Sequence, residues 1–250
     1  MTIVPLNAFD DNYIWTLRAG GFAAVVDPGE AAPVLDHLAA SGDRLCAVLV
    51  THHHQDHTGG IAELLARHPV PVYGPAPMDV ARPLADGAFV ALPELAIDLA
   101  VLHVPGHTRD HIVYYRRGTL FCGDTLFACG CGRIFEGTPG QLHRSLDRLA
   151  ALPPATKVYC GHEYTLSGLR FARAVEPDNT VVESRRREAE ALRARGLPTL
   201  PSSIGLELET NPFLRLTVPA VVAAAAGRLG HPPVDELETF TALREWRDRF

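Results

Sequence analysis

Short apolar runs alternate with turn-forming residues over the first two thirds of the chain. The runs have four to eight residues, are rich in Val, Ile, Tyr or Phe, and are bounded by Gly, Pro or Asp. This pattern is typical of β-strands. The predicted strands are 12–17, 22–27, 46–51, 71–74, 97–104, 111–116, 119–124 and 157–161.

Helical patterns lie between these strands. Apolar residues spaced three and four apart predict helices at 30–41, 58–68 and 140–152. Strands interleaved with helices indicate an α/β fold, in which helices cover the sheets.

Beyond residue 165 the pattern is helical alone. The predicted helices are 166–175, 180–195, one that starts near Pro219, and 235–250. Thr180 and Glu183 have the spacing of a capping box, which places the start of the second helix at Thr180. The run 185–187, three arginines, is interpreted as a solvated helix face. We therefore predict a catalytic domain at 1–165 and a helical domain at 166–250.

Composition narrows the classes of function. A formal net charge of −6 argues against a nucleic-acid-binding protein, which needs a broad basic surface. The chain shows no basic leader and no apolar stretch long enough for a membrane span, so we expect a cytoplasmic protein. The five cysteines are odd in number and form no CxxC pair, which predicts reduced thiols. Cys129 and Cys131, as a single CxC, are only a weak metal signal.

The segment LVTHHHQDHTGG at 49–60 holds four histidines and one aspartate directly behind a predicted strand. Alternate residues of an extended segment point the same way. His52 and His54 can therefore converge while His53 faces elsewhere. Imidazole and carboxylate groups are ligands that suit zinc, manganese or iron.

Further metal-capable residues lie where strands and helices meet. Asp56 and His57 stand at the start of the next predicted helix. His107, Asp124 and His162 each follow a predicted strand on a turn that contains glycine. Because strand ends of an α/β sheet commonly carry the site, these residues predict a centre with more than one metal ion.

The order HxHxDH, then a distant His, an Asp and a final His, resembles the metallo-β-lactamase superfamily. Nearly the whole chain resembles one of its families, the hydroxyacylglutathione hydrolases. The segments that carry this resemblance are DDNYIW (10–15), THHHQDHTGG (51–60), PGHT (105–108), GDTLF (123–127), CGRIFEGT (131–138), VYCGHEYT (158–165), FARAVEPDN (171–179) and TNPFLR (210–215).

The resemblance implies an αβ/βα sandwich of two mixed sheets with a small helical C-terminal domain. It also implies two divalent metal ions, zinc first, with iron or manganese also suited. One ion would be held by His52, His54 and His107, the other by Asp56, His57 and His162, with Asp124 bridging them. Asp56 and Asp124 would in addition orient a metal-held hydroxide. On this reading His53 is not a ligand.

The implied reaction is hydrolysis of S-(2-hydroxyacyl)glutathione, chiefly S-D-lactoylglutathione, to glutathione and D-lactate, the second step of methylglyoxal detoxification. The implied substrate-binding residues are Arg133, Phe135, Tyr164, Arg244 and Arg247. Arg133 stands where the family usually has Lys, and Phe135 where its better-studied members have Tyr. We expect a monomer that acts on a small molecule.

Three alternatives are compatible with parts of the pattern. A mono-iron glutathione persulfide dioxygenase shares HxHxDH, although its metal has fewer ligands and it lacks the NPFLR tail. A nuclease of the superfamily fits the acidic charge poorly, and a silent metal-stabilised binding module has no reason to retain all the ligands. The remaining histidines are expected to be ordinary hydrogen-bonded residues, with a supporting role behind the ligands kept open for His103 and His111.

Overall fold

The computed structural model describes residues 1–76, 78 and 82–250. The described chain forms two compact units, one made of 1–103 with 110–123 and the other of 104–109 with 124–250. The chain therefore passes between units more than once. The division into functional domains at residue 165 stays a prediction.

The first unit contains a six-stranded sheet in the order β1 to β6. Its strands are β1 (Thr2–Ala8), β2 (Asn12–Ala19), β3 (Phe22–Val26), β4 (Arg44–Leu49), β5 (Val72–Pro75) and β6 (Arg82–Leu84). The first three strands run antiparallel, and β3 to β6 run parallel. The sheet is mixed, as the resemblance implies.

Three α-helices of the same unit accompany this sheet: α1 (Ala32–Ser41), α2 (Gln55–Thr58) and α3 (Ile61–Arg67). Their apolar residues and those of the strands form one core cluster, which includes Ile14, Val25, Val34, Val48 and Leu64, each fully buried. Because β4 is buried on both faces, packing fixes the position at which the following segment, from residue 50, leaves the sheet.

Four antiparallel strands complete the first unit: β7 (Phe89–Leu92), β8 (Ile97–His103), β9 (Ile112–Arg116) and β10 (Thr119–Gly123). Tyr114 on β9 is fully buried, and its hydroxyl donates to the Val50 carbonyl at 2.8 Å and accepts from the Val50 N–H at 3.3 Å. Burial raises the pKa of Tyr114 well above its usual range, so this hydroxyl stays protonated. It holds the chain just past the end of β4.

The second unit is mainly helical. Its elements are β11 (Leu126–Phe127), β12 (Gly130–Cys131), α4 (Pro139–Ala150), β13 (Lys157–Cys160), α5 (Thr165–Val175), α6 (Thr180–Arg193), β14 (Ser202–Ser203), α7 (Ile204–Thr210), α8 (Pro219–Leu229) and α9 (Glu236–Asp248). The pairs β11–β12 and β13–β14 are antiparallel. The predicted helices after residue 165 are confirmed, whereas the short helix α7 was not predicted.

The prediction that Thr180 is the N-cap of this helix is wrong by one residue. Asn179 is the N-cap of α6, and its side-chain oxygen accepts from the N–H groups of Val181 at 3.1 Å and Val182 at 3.2 Å. Thr180 is instead the first helical residue. Asn is a stronger N-cap than Thr, which explains the shift.

The interpretation of 185–187 as a solvated face is wrong for Arg185. Three consecutive helical residues point in directions about 100° apart, so one of them faces inward. Arg185 is 8% exposed, and its Nη2 donates to Glu207 Oε1 at 2.6 Å. The other Glu207 oxygen accepts from the Cys129 N–H at 2.7 Å and from Asn211 Nδ2 at 3.1 Å. This buried network joins α6, α7 and the β11–β12 hairpin.

The cysteines form no disulfide among the residues described, in agreement with the prediction. Burial raises the pKa of the Cys129 thiol to about 12 and raises that of Cys131. Both thiols are therefore protonated at neutral pH in the metal-free chain. Within the described ranges, no helix has the length and apolar character that a membrane crossing requires.

Candidate metal centre

The first predicted ligands lie on the segment that follows β4. His52 is fully buried, His53 is exposed and His54 is partly buried. His52 Nε2 and His54 Nδ1 are 3.1 Å apart. The first and third histidines converge, as the alternation predicts, while His53 is exposed and its ring centroid lies 5.2 Å from that of His54.

Asp56 and His57 lie on the single turn of α2. His57 is 1% exposed, and its Nε2 is 3.4 Å from Asp56 Oδ2. The rings of His52 and His57 are also close, with centroids 4.2 Å apart. All four predicted ligands of the first unit thus lie together.

A buried carboxylate that sequence reasoning did not single out supports this group. Asp27 accepts hydrogen bonds from the Thr51 N–H at 2.7 Å and from the Thr51 hydroxyl at 2.7 Å. Its Oδ2 is also 3.1 Å from His57 Nδ1. A carboxylate at this position fixes the ring and leaves Nε2 as the ligand atom. The available signal was an Asp directly after an apolar strand and before Pro-Gly.

Asn12 is a second supporting residue that was missed. Its Nδ2 donates to Asp56 Oδ2 at 3.1 Å and to the Asp56 carbonyl at 3.3 Å. Asn12 begins β2, inside the DDNYIW segment, but nothing in its local pattern indicates a partner 44 residues away. The amide orients a carboxylate that would otherwise rotate.

The two remaining candidates for a supporting role differ. His111 is fully buried, and its ring stacks on His52 with centroids 4.7 Å apart and an angle of 19°. A side chain at Gly123 would lie 2.9 Å from His111 Nε2 and 2.2 Å from Thr51 Oγ1, so only glycine fits there. His103 lies at the exposed end of β8.

The other predicted ligands form a group in the second unit. His107, Asp124 and His162 are 3%, 6% and 5% exposed. Asp124 Oδ2 lies 3.6 Å from His107 Nε2 and 3.3 Å from His162 Nε2. One carboxylate oxygen is therefore placed between two imidazole nitrogens, as a bridging ligand would be.

Neighbouring groups fix both imidazoles. His107 Nδ1 donates to the Arg133 carbonyl at 2.7 Å, because a carbonyl oxygen can only accept. The ring of His162 stacks on Tyr164 with centroids 4.7 Å apart and an angle of 7°. Both rings are held with Nε2 toward Asp124.

A cavity of about 370 Å³ in the second unit begins at these ligands. It is lined by all five predicted substrate-binding residues together with two ligands and the β11–β12 hairpin: His107, Asp124, Phe127, Ala128, Gly130, Cys131, Arg133, Phe135, Tyr164, Gly168, Arg244 and Arg247. The structure thus brings together in space positions that are far apart in sequence.

Charge in this cavity is mainly positive. Arg133 Nε and Arg244 Nη2 both donate to Asp248 Oδ1, at 3.2 and 3.0 Å. Arg247 Nη2 donates to the Ser167 hydroxyl at 2.6 Å. Burial, together with the nearby Arg244 and Arg170 charges, lowers the pKa of Arg247. Three guanidinium groups against two carboxylates, Asp124 and Asp248, leave an excess of positive charge for an anion.

The donor groups fit divalent transition metals. Two imidazole nitrogens that bind one tetrahedral zinc, each at about 2.0–2.1 Å, lie about 3.3 Å apart. The 3.1 Å between His52 Nε2 and His54 Nδ1 agrees with this spacing. Buried imidazoles with a fixed second nitrogen, next to carboxylates, are the ligands expected for zinc, iron or manganese.

Comparison with known proteins agrees with this chemistry. The metallo-beta-lactamase superfamily matches residues 9–81 and 74–162, and the hydroxyacylglutathione hydrolase C-terminus matches 163–250. The hydroxyacylglutathione hydrolase of Methylobacillus flagellatus is 52% identical over 99% of each chain. That of Alkalilimnicola ehrlichii is 56% identical over 99% of this chain and 98% of its own.

Solved structures share the fold. ETHE1 from Myxococcus xanthus, 24% identical, has a TM-score of 0.67 and covers 98% of this chain and 91% of its own, a likeness of fold alone. TTHA1623, crystallised in a di-iron-bound form, is 27% identical with a TM-score of 0.61, and covers 86% of this chain and 100% of its own. The predicted α/β fold of two mixed sheets and helices, with a helical C-terminal region, is confirmed. Because matches at about half identity span the whole chain, the chain belongs to the hydroxyacylglutathione hydrolase family of the metallo-β-lactamase superfamily.

Proposed function

We propose that this chain hydrolyses S-(2-hydroxyacyl)glutathione thioesters, chiefly S-D-lactoylglutathione, to glutathione and D-lactate, the second step of methylglyoxal detoxification. The observation that carries the proposal is Asp124 Oδ2 between two imidazole nitrogens at the mouth of a cavity with three arginines. The full-length identity to hydroxyacylglutathione hydrolases supports the same activity.

Two divalent ions are proposed, with zinc first and iron or manganese as further possibilities. His52, His54 and His107 would hold one, Asp56, His57 and His162 the other, and Asp124 would bridge them. When bound, two such ions lower the pKa of a shared water from 15.7 toward about 7 and stabilise a developing oxyanion. The di-iron form of TTHA1623 supports a pair of ions on this fold.

The chain's own residues orient these groups. Asp27 and the Arg133 carbonyl each bind one imidazole nitrogen and leave the other for metal. Asn12 holds the Asp56 carboxylate in a fixed direction, and Asp56 and Asp124 would orient the attacking water. No side chain has to act as the nucleophile, because the attacking group is water. No strong acid is needed either, because a thiolate leaves readily.

Glutathione recognition is assigned to the cavity of the second unit. The glutathione moiety is anionic and flexible, and it needs cations and donors beside the thioester. Arg133, Arg244 and Arg247 would supply the cations, Tyr164 a hydroxyl and Phe135 an aromatic face. Phe135 is 60% exposed, so it is available for contact with a ligand.

The dioxygenase alternative is less well supported. Relatives at about half identity over the full chain are hydroxyacylglutathione hydrolases, which does not favour it. We further propose that the enzyme works in the cytoplasm as a monomer without nucleic acid. Residues 1–165 would carry out the chemistry and residues 166–250 would bind the substrate.

The test is thioester turnover by the purified chain. We expect S-D-lactoylglutathione to release free thiol, a chelator to stop the release, and added zinc to restore it. Asp124→Asn keeps the shape but removes a charge between two dications, so metal content should fall and turnover should drop by orders of magnitude. Asp147→Asn changes an exposed carboxylate on α4 and serves as the matched control.

Two results would count against these proposals. Full metal occupancy and a near-normal rate in the Asp124 variant would refute the bridging role of Asp124. A wild-type chain that consumes oxygen with glutathione persulfide and leaves the thioester intact would refute the proposed hydrolysis and favour the mono-iron dioxygenase.

A further inference from the structure

Arg244 is the least exposed of the three arginines that line the cavity. Its side chain is 9% exposed, compared with 57% for Arg133, and Arg247 is half-buried. A buried cation is costly unless its N–H groups are hydrogen-bonded. The acceptors around Arg244 therefore indicate what this side chain holds in place.

Those acceptors belong to a short segment of backbone and to Asp248. Arg244 Nη1 donates to the carbonyls of Cys131 at 2.9 Å and Gly132 at 3.4 Å. Its Nη2 donates to Asp248 Oδ1, which also accepts from Arg133 Nε. Helix α9 thus holds residues 131–133 through two carbonyls and one side chain.

The same segment carries the groups that hold His107. The Arg133 carbonyl accepts from His107 Nδ1 at 2.7 Å, and the Phe135 N–H donates to the His107 carbonyl at 3.1 Å. The fit is close, since a Cβ at Gly132 would lie 2.0 Å from the Asp124 carbonyl and 3.1 Å from His107 Nδ1. A shift of this segment would therefore move the acceptor that orients the imidazole.

The Arg133 carbonyl selects one tautomer of the His107 imidazole. With the proton on Nδ1, the lone pair is on Nε2, the nitrogen that faces Asp124. In metal sites the group that binds the second histidine nitrogen sets ring orientation and basicity. The position of one backbone oxygen therefore decides where Nε2 points.

We propose that Arg244 is a positioning residue for His107, acting through the carbonyls of Cys131 and Gly132 and the Arg133 carbonyl next to them. This rests on the proposed function, because it needs His107 as a metal ligand. A contact between Arg244 and the substrate uses other N–H groups and is compatible with this role. The two roles differ in outcome: substrate binding alone affects KM, whereas positioning also affects the metal.

The test measures zinc affinity by competition with a chromophoric chelator, together with KM and kcat for a glutathione thioester. Arg244→Ala should lower the affinity for one of the two zinc ions about tenfold. This is the low end of the effect of removing a group that supports a metal ligand. Arg244→Lys keeps the charge and one donor group, and should lower the affinity for the same ion several-fold.

Arg247→Ala is the matched control. Its Nη2 bonds to Ser167 rather than to the segment 131–133. The control should raise KM for the glutathione thioester and leave both zinc affinities at wild-type values. This difference separates loss of a cavity cation from loss of ligand positioning.

Thermal unfolding of the metal-free variants completes the test. Wild-type zinc affinity in Arg244→Ala, with only KM raised, would overturn the proposal. So would equal weakening of both ions with a lower unfolding temperature, since that is general destabilisation. If Arg244→Ala does not fold, Arg244→Lys decides, and wild-type affinity there refutes the idea. A wild-type chain that binds none of zinc, iron and manganese would refute the proposed function itself.

Discussion

The imidazole of His57 has two nitrogens with different partners. Nδ1 lies 3.1 Å from Asp27 Oδ2, and Nε2 lies 3.4 Å from Asp56 Oδ2. Asp27 also accepts from the N–H and hydroxyl of Thr51, so one carboxylate fixes both ends of the segment that carries the proposed ligands. The direction of the His57 ring therefore depends on a residue 30 positions earlier.

Asp27→Asn tests this dependence. The backbone φ of Asp27 is 54°, a conformation that Asn also tolerates, so the change adds little strain. An amide offers one acceptor oxygen in place of two, and the His57 ring loses its fixed partner. We expect metal affinity to fall by about 10–100-fold in a chelator competition.

The control for Asp27 is Asp43→Asn, which breaks the ion pair with Arg18 in the same unit. The Arg18 side chain lowers the pKa of Asp43, but the pair is near the surface and should change stability by less than about 1 kcal/mol. Metal affinity should be unchanged in this control. Equal effects of the two changes would contradict a supporting role for Asp27.

His53 and His54 form the sharpest comparison within the motif. They are adjacent, yet only His54 lies 3.1 Å from His52 Nε2, and His53 is exposed. His54→Ala should lose metal and most thioester turnover, because it removes a proposed ligand. His53→Ala should retain both in metal analysis and kinetics. Metal loss of the same size in both variants would invalidate the ligand assignment.

At the scale of elements, the start of α6 is set by Asn179. Its side chain accepts two backbone N–H groups, and its Nδ2 donates to the Glu209 carbonyl at 3.1 Å. Asn179→Ala should lower the free energy of unfolding by about 0.5–2 kcal/mol. Thr180→Ala should change it by only a few tenths, because Thr180 is an exposed helical residue.

Denaturant unfolding of the two variants measures both values. The comparison is internal, since the positions are adjacent and both side chains are polar. A larger loss from Thr180→Ala would restore the capping box predicted from sequence and contradict the observed cap.

Sequence patterns predicted elements and ligands where the determining information is local. The HxHxDH segment was recognised because alternation along one extended stretch brings His52 and His54 together. Asn12 and Asp27 were missed because their roles depend on pairings between strands far apart in sequence. Strand β1 was missed because only its last residue is fully buried, which leaves a weak apolar pattern. Arg185 was misread because a run of like charges hides the one residue that faces inward.

At the scale of the whole molecule, the charge that lines the cavity has the opposite sign to the net charge of the chain. The chain has a formal net charge of −6, yet the cavity of the second unit is lined by three arginines. A globally acidic surface repels polyanions, while a local cluster of cations still attracts a small anion. This distribution favours a compact anionic thioester over a nucleic acid as ligand.

The thiols report on the integrity of the whole fold. Burial raises the pKa of Cys129 to about 12, and burial with the nearby Glu94 charge raises that of Cys46 to about 11. At pH 8 these groups are almost entirely protonated, so their reaction with a disulfide reagent should be at least about a hundredfold slower than that of an ordinary thiol, and slower for Cys129 than for Cys46. In guanidinium all five thiols should react quickly.

Reagent titration of native and unfolded protein checks this expectation. The Cys46 rate should rise as pH approaches 11, because deprotonation then becomes possible without unfolding. A native protein in which Cys46 or Cys129 reacts as fast as a free thiol at pH 8 would contradict the raised pKa of these two thiols.

Position 133 contributes to the site through two separate groups. Its carbonyl oxygen accepts from His107, and its side chain lines the cavity of the second unit. Every amino acid supplies the same carbonyl, and Arg244 still binds the carbonyls of Cys131 and Gly132 when the side chain at 133 is changed. The side chain can therefore be exchanged for one suited to another thioester while His107 keeps its acceptor. Gly132 allows no such exchange, because any Cβ would collide with the Asp124 carbonyl. A library that varies residue 133 and spares residue 132 should therefore yield new substrate preferences in variants that still load metal.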